Sequence, residues 1–184
     1  TELSLDLFPT SLIIPYVSYT RDRGYGRGVT SFVSDGNEYP VLNELSDLTN
    51  LVRAGVRMET NRFHALIEQG GLIFSDDQRL LNSTRNGGNV TRPFLGQPLF
   101  LQDLLQSYDV SGSSIFTKGA LTAQPVNWLD LSGAFQFSQP RNDINYHQTN
   151  TGNFVDFDSL LFMNSQSLRL VGSSNQPHLT MNLG

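Results

Sequence analysis

The sequence predicts an all-β fold: an antiparallel up-and-down β-barrel, about eight strands in four hairpins with long loops on one side. Residues 1–184 would form a single barrel domain or a segment of one. Three observations predict this. Apolar residues recur at period two rather than 3.6, the pattern of a strand with one apolar face. Tight turns alternate strictly with long connections. The composition is short of both core-forming and surface-charging residues. It is 38% hydrophobic and 16% charged, against about 45–50% and 25% in ordinary soluble domains.

The first hairpin runs through Glu2–Phe8 and Ser11–Thr20 around Pro9-Thr10. Leu3, Leu5 and Leu7 alternate with Glu2, Ser4 and Asp6, and a tight turn sets Leu7 opposite Leu12, Leu5 opposite Ile14 and Leu3 opposite Tyr16. The second joins Leu51–Thr60 to Phe63–Phe74 at Asn61-Arg62. One face carries Val52, Ala54, Val56 and Met58 against Phe63, Ala65 and Ile67; the other carries Arg53, Arg57, Glu59, His64 and Glu68. The third joins Ser114–Gln124 to Trp128–Ser138 through Pro125-Val126-Asn127. Ile115, Leu121 and Ala123 share a face with Leu129, Leu131, Phe135 and Phe137, while Lys118, Thr122, Asp130, Ser132 and Gln136 lie opposite. The fourth pairs Leu160–Gly172 with His178–Gly184, so that Leu168 and Leu170 meet Leu179 and Met181. Each turn brings the apolar faces of its two strands into coincidence, as register requires.

Between hairpins lie Arg21–Asn50, Ser75–Ser113 and Gln139–Ser159, rich in Gly, Asn, Asp and Ser. Structureless connections above about 12–15 residues are uncommon in compact soluble domains. A transmembrane barrel has this layout: short turns at one rim, longer loops at the other, and strands of about 9–11 residues with apolar-out, polar-in alternation. Tyr16, Tyr19, Phe63, Trp128 and Phe137 fall near strand ends, where aromatic girdles sit. A soluble antiparallel sandwich also alternates. Pro15 inside a strand and Gly70-Gly71 inside another run against a regular central strand.

The segments LDLFPTSLIIPYVSYTRD, VTSFVSDGNEYPV, AGVRMETNRFHALIEQGG, NVTRPFLGQPLF and WLDLSGAFQFSQP resemble bacterial outer-membrane β-barrel proteins of porin-like type, the larger many-stranded members above all. The resemblance implies a bacterial outer-membrane location. It also implies a passive role, as a porin-like pore or as a scaffold or sheath for a partner. Its partners would be outer-membrane lipid and other protein chains or the remainder of a larger barrel. Such barrels usually end in a strand with a terminal aromatic. The LTMNLG ending has none, and the expectation is a segment of a larger barrel. Two alternatives stay open. One is a soluble secreted sandwich that binds carbohydrate or protein. The other is a structural subunit that assembles by strand pairing.

Net charge is −5, and the cations are scattered arginines plus Lys118, with no basic stripe of the kind nucleic-acid binders show. There is no cysteine, so no thiolate chemistry. His64, His147 and His178 lack metal-ligand spacing, and no GxSxG elbow is present, so neither an enzyme nor a metal or other cofactor is expected. Asp35-Gly36-Asn37-Glu38 and the Asp156/Asp158 pair read as turn formers ahead of calcium loops. Gly24-Tyr25-Gly26-Arg27-Gly28 reads as a flexible loop. In a barrel, Arg53, Arg57, Glu59, Glu68, Lys118 and Asp130 face the lumen, where charged side chains set ion selectivity; Arg57 lies diagonal to Glu68. Arg92–Asp109 is the most apolar loop stretch. Phe94, Leu99, Phe100, Leu101 and Leu104 are its candidates for docking a partner or entering the barrel mouth, with Leu101, Leu104 and Leu105 on one face of a short helix.

Overall fold

The computed structural model describes every residue except 157 and 159. The strands are β1 (Glu2–Asp6), β2 (Ile13–Ser34), β3 (Asn37–Glu59), β4 (Phe63–Asn82), β5 (Phe100–Val126), β6 (Leu129–Asp156), β7 (Leu161–Asn175) and β8 (His178–Leu183). They form one antiparallel up-and-down sheet in the order β1 to β7, with β8 also on β6. The sheet does not close. The outer side of β1 and the outer side of β7 and β8 carry no partner strand among the described residues.

The second hairpin has the predicted register: Met58 faces Ala65 and Val56 faces Ile67. In the third the expected faces coincide, but the turn lies at Asn127-Trp128 instead of Pro125-Val126-Asn127, and a bulge between Ala123 and Val126 sets Leu121 opposite Gly133 and Ala123 opposite Leu131, two residues from the register the expected turn implies. The first hairpin differs by three residues. Leu3 faces Tyr19 and Leu5 faces Val17, because the connection spans Leu7–Leu12 with Phe8 in the left-handed region (φ 55°). An odd shift exchanges the faces, so the leucines of β1 join Val17 rather than Ile14. Pro15 turns its carbonyl toward Leu7 (2.7 Å), so its missing N–H points at the end of β1, and the ladder to β3 runs through unbroken.

The fourth hairpin does not form. β7 and β8 both pair with β6 in one continuous register, Asn175 opposite Arg141 and His178 opposite Ser138. They are a single edge strand interrupted at Gln176-Pro177. Two prolines there, Pro140 on β6 and Pro177, remove ladder donors.

The predicted long loops are mostly strand. β2 runs to Ser34 and turns at Asp35-Gly36 (φ 46° and 78°), the pair of positive φ values that a two-residue hairpin turn requires. β4 runs to Asn82, β5 starts at Phe100, and β6 runs to Asp156. Gly24–Gly28 lies within β2, and Leu101, Leu104 and Leu105 are in a strand, not a helix. These extensions escape a period-two reading because next to the belt both of their faces are mostly polar, and their inward apolar residues gather only at the tip. Ser159, the end of the last predicted connection, lies outside the described residues.

A small core sits at the far end of the sheet, away from the turns at Asn61-Arg62 and Asn127-Trp128. Phe32, Tyr39, Val41, Leu80, Leu101, Leu104 and Phe154 form it. The 83–99 connection folds onto this end. The Asn37 side chain holds it there: its Oδ1 accepts from the N–H groups of Asn89 and Val90 (3.0 Å each), and its Nδ2 donates to the Gly87 carbonyl (3.3 Å).

Asn37→Ala should cost about 2–3 kcal/mol, because a buried amide that satisfies backbone donors is lost. Amide exchange in 83–99 should speed up while the rest of the sheet stays protected. Burial pushes the Tyr39 phenol pKa up. The tip should therefore be insensitive to pH below about 10, the ordinary tyrosine value, and lose stability as pH rises through the elevated one. Tyr39→Phe should remove that alkaline limb in a pH series of exchange rates.

Candidate functional site

Two adjacent rows of residues define the sheet near its tight-turn end. One runs across the strands as Pro15, Val56, Ile67, Gly119, Phe135 and Met181. The next, on the opposite face, runs as Asp6, Tyr16, Gly55, Glu68, Lys118, Gln136 and Thr180. Alternation alone dictates this separation.

The burial of the two faces is inverted relative to a soluble sheet. On the apolar face Ile67 is 63% exposed and Leu179 61%, and Leu3, Leu5, Val17, Val52, Ile115 and Leu121 are exposed with them. On the charged face Glu68 is 3% exposed and Ser18 4%. Side chains on the charged face shelter one another, as on the inside of a curved sheet, and those on the apolar face splay outward. No second layer covers the apolar face among the described residues.

The charged face is internally paired. Glu68 receives Lys118 Nζ at 2.7 Å and the Tyr16 hydroxyl hydrogen bond. Tyr16 reaches Glu68 by lying over Gly55, where a Cβ would sit 2.8 Å from its ring carbons. Phe116 covers Gly70 in the same way, which accounts for a glycine in mid-strand. Arg57 bonds Asp6 at 2.6 Å and lies 5.5 Å from the Tyr16 ring centroid; Arg53 lies 3.4 Å from Glu2. Beside them is an open trough of about 420 Å³, lined by Leu51, Arg53, Glu68, Phe116, Lys118 and Gln136 among others.

All six charged residues predicted to share a face do share one: Arg53, Arg57 and Glu59 on β3, Glu68 on β4, Lys118 on β5 and Asp130 on β6. Arg53, Arg57, Glu68 and Lys118 belong to the paired network. Glu59 and Asp130 stand exposed near the turns. The expected Arg57–Glu68 pair is replaced, because Asp6 and Lys118 take the two partners. Sequence reasoning missed Glu2, Asp6 and Tyr16 as members, although Glu2 and Asp6 were visible as the polar half of the first alternation.

The loop candidates serve the tip. Leu99, Leu101 and Leu104 are buried, Phe94 lies 6.4 Å from the Phe162 ring, and Arg85 stacks 4.0 Å from the Phe100 ring centroid. Asp35-Gly36 is a turn, and Asp158 N–H donates to Asp156 Oδ1 (3.1 Å) in another. Comparison with protein-family models and with curated proteins finds no match.

The geometry makes the Glu68–Lys118 pair asymmetric, since Glu68 is buried and the Lys118 side chain is 39% exposed. Lys118→Met should strand a buried carboxylate and cost about 2–3 kcal/mol; Glu68→Gln leaves a lysine that water can reach and should cost about 1 kcal/mol or less. Equilibrium denaturation of the two variants and their double mutant measures the difference.

Proposed function

We propose that this chain is wall of an outer-membrane-type β-barrel: its apolar face meets lipid and its charged face lines a polar interior. The observation that carries the reading is the inverted burial, with large aliphatic side chains exposed on one face and a buried ion-paired network on the other.

Dimensions support it. On β5 the apolar-face stretch Ile115–Ala123 is nine residues, matching the about 9–11 residues of a tilted spanning strand. Apolar-face stretches on β2, β3, β4 and β6 share the same end of the sheet, with the shorter β8 beside them. Beyond them the apolar face turns to Arg21, Asn50, Ser75, Ser113 and Gln139. Energetics support it as well. Burying a large aliphatic side chain is worth about 1.5–3 kcal/mol. More than a dozen at roughly half exposure forgo on the order of 15 kcal/mol, as much as the whole net stability of a typical domain. Hydrocarbon removes that deficit without a second protein layer.

The free edges fit the same reading. In lipid every backbone group must be paired, so further strands, from a longer chain or from other chains, complete the wall. A wall of this kind serves as a passive pore or as a sheath around a partner, with Arg53, Arg57, Glu68 and Lys118 in the interior.

Ile67→Arg tests the reading directly. In a solvated sheet this exposed position should tolerate arginine within about 0.5 kcal/mol. Facing lipid it should cost about 2–4 kcal/mol. Folding titrations of both proteins in phosphatidylcholine vesicles separate the outcomes; a neutral substitution would overturn the lipid assignment.

A further inference from the structure

The charge of the chain is sorted by face. On the apolar face and its continuation, Arg21, Arg23, Arg27, Arg79, Arg141 and Arg169 are matched in number by Glu38, Glu44, Asp77, Asp103, Asp109 and Asp143. At the strand ends and connections, Arg62, Arg85 and Arg92 are matched by Asp35, Asp156 and Asp158. The whole net charge of −5 therefore falls on the opposite face, the one that carries the ion-paired network. His64 and His178 also stand there and are neutral in that count.

Within the network each acid has its cation: Arg53 answers Glu2, Arg57 answers Asp6 and Lys118 answers Glu68. The surplus is carboxylates with no cation within ion-pair distance among the described residues. They are Asp22, Asp47 and Asp76 on the extensions, and Glu59 and Asp130 beside the tight turns. Asp47 and Asp76 stand directly opposite each other, and Asp22 faces Thr49, two residues along β3 from Asp47. Like charges directly opposite destabilise a sheet. The fold nevertheless makes room for them. The Asp47 carboxylate lies over Gly24, accepts that residue's N–H (3.2 Å) and would collide with any Cβ there. Farther along β2, Gly26 and Gly28 leave the same face open, with nothing within 4 Å of an added Cβ.

We infer that the interior lined by this face passes hydrated cations and holds back anions. A concave surface lined by one sign of charge concentrates counter-ions, and carboxylates along a path set it for cations. The surplus acids stand toward both ends of the strands, with the paired network between them. A cation is thus attracted at entry and at exit and meets no uncompensated charge between that would trap it. Asp22, Asp47, Glu59 and Asp130 are exposed, which suits an ion in passage better than one stripped of water. The inference rests on the barrel-wall reading and adds to it the sign of the solute.

The chain has no cysteine, so a single introduced thiol reports on its own surroundings. The test places the full chain in phosphatidylcholine nanodiscs as T49C, S107C or I67C. Each is reacted with the cationic trimethylammonium-ethyl and the anionic sulfonatoethyl methanethiosulfonate. The ratio of the two rates cancels the acidity of the thiol itself. At T49C, between Asp22 and Phe74 on the charged face, that ratio should exceed the free-thiol ratio by about tenfold at about 0.15 M salt. At S107C, on the other face beside Arg79, it should lie within about threefold of the free-thiol ratio. Adding D22N/D47N/D76N removes the charges and relieves the Asp47–Asp76 repulsion, so T49C should return to the free-thiol ratio with no loss of stability. A T49C ratio equal to that at S107C, or unchanged in the triple variant, would overturn cation selection while leaving the belt intact. So would a T49C thiol closed to both reagents while S107C reacts, because the interior would then be filled. I67C should resist both reagents; its ready modification would overturn the belt reading and this inference with it.

Discussion

The structure turns on one constraint: a single sheet has two faces, and only one of them has partners within the chain. Tyr16 and Lys118 satisfy Glu68, and Arg57 pairs with Asp6, across five strands. One residue along each strand, Val56, Ile67 and Phe135 point the other way and touch no covering layer. Water stabilises such an arrangement poorly, because the exposed aliphatics cost as much as the fold gains. An apolar medium reverses the balance. On the proposed reading the surroundings supply the missing half of the core, and the polar network makes the interior tolerable by leaving few charges unpaired.

That network also explains several sequence oddities. Gly55 and Gly70 weaken a strand on propensity alone. Here they leave room for Tyr16 and Phe116 to lie flat across the neighbouring strand. Lying flat brings the Tyr16 hydroxyl to Glu68. The glycines are thus part of how a buried carboxylate is satisfied. The distal core follows the opposite logic. It is small, faces inward, and is closed by a connection that Asn37 grips through its backbone. The molecule therefore has two regimes along its length: a belt that depends on its surroundings and a tip that packs on itself.

The sequence made the belt legible and the extensions illegible, for one physical reason. Where one face is apolar, alternation and a two-residue turn fix register together, and Met58–Ala65 falls where expected, while Leu121 keeps its expected face but meets Gly133 two residues out of the expected register because of the bulge before the turn. Where both faces are mostly polar, as from Arg21 to Gly28 or Asn142 to Thr151, nothing in the side-chain pattern distinguishes strand from loop. The first hairpin slipped because Phe8 adopts a left-handed conformation unusual for a bulky residue. The last failed because its two segments both pair with β6, end to end in one register, instead of with each other. Six site residues were placed on one face correctly. Their partners were not, because Asp6 and Lys118 reach them only through strand order, which alternation does not encode.

The interruption at Gln176-Pro177 has a mechanical meaning. It divides one edge strand into a six-residue piece beside the belt and a fifteen-residue piece beside the extension. Both prolines, 140 and 177, sit at the upper boundary of the belt, where water can reach the carbonyls they leave without a donor. On the proposed reading, a break placed lower would strand those carbonyls in hydrocarbon, whereas at this line the crease in the edge strand falls where water can satisfy them.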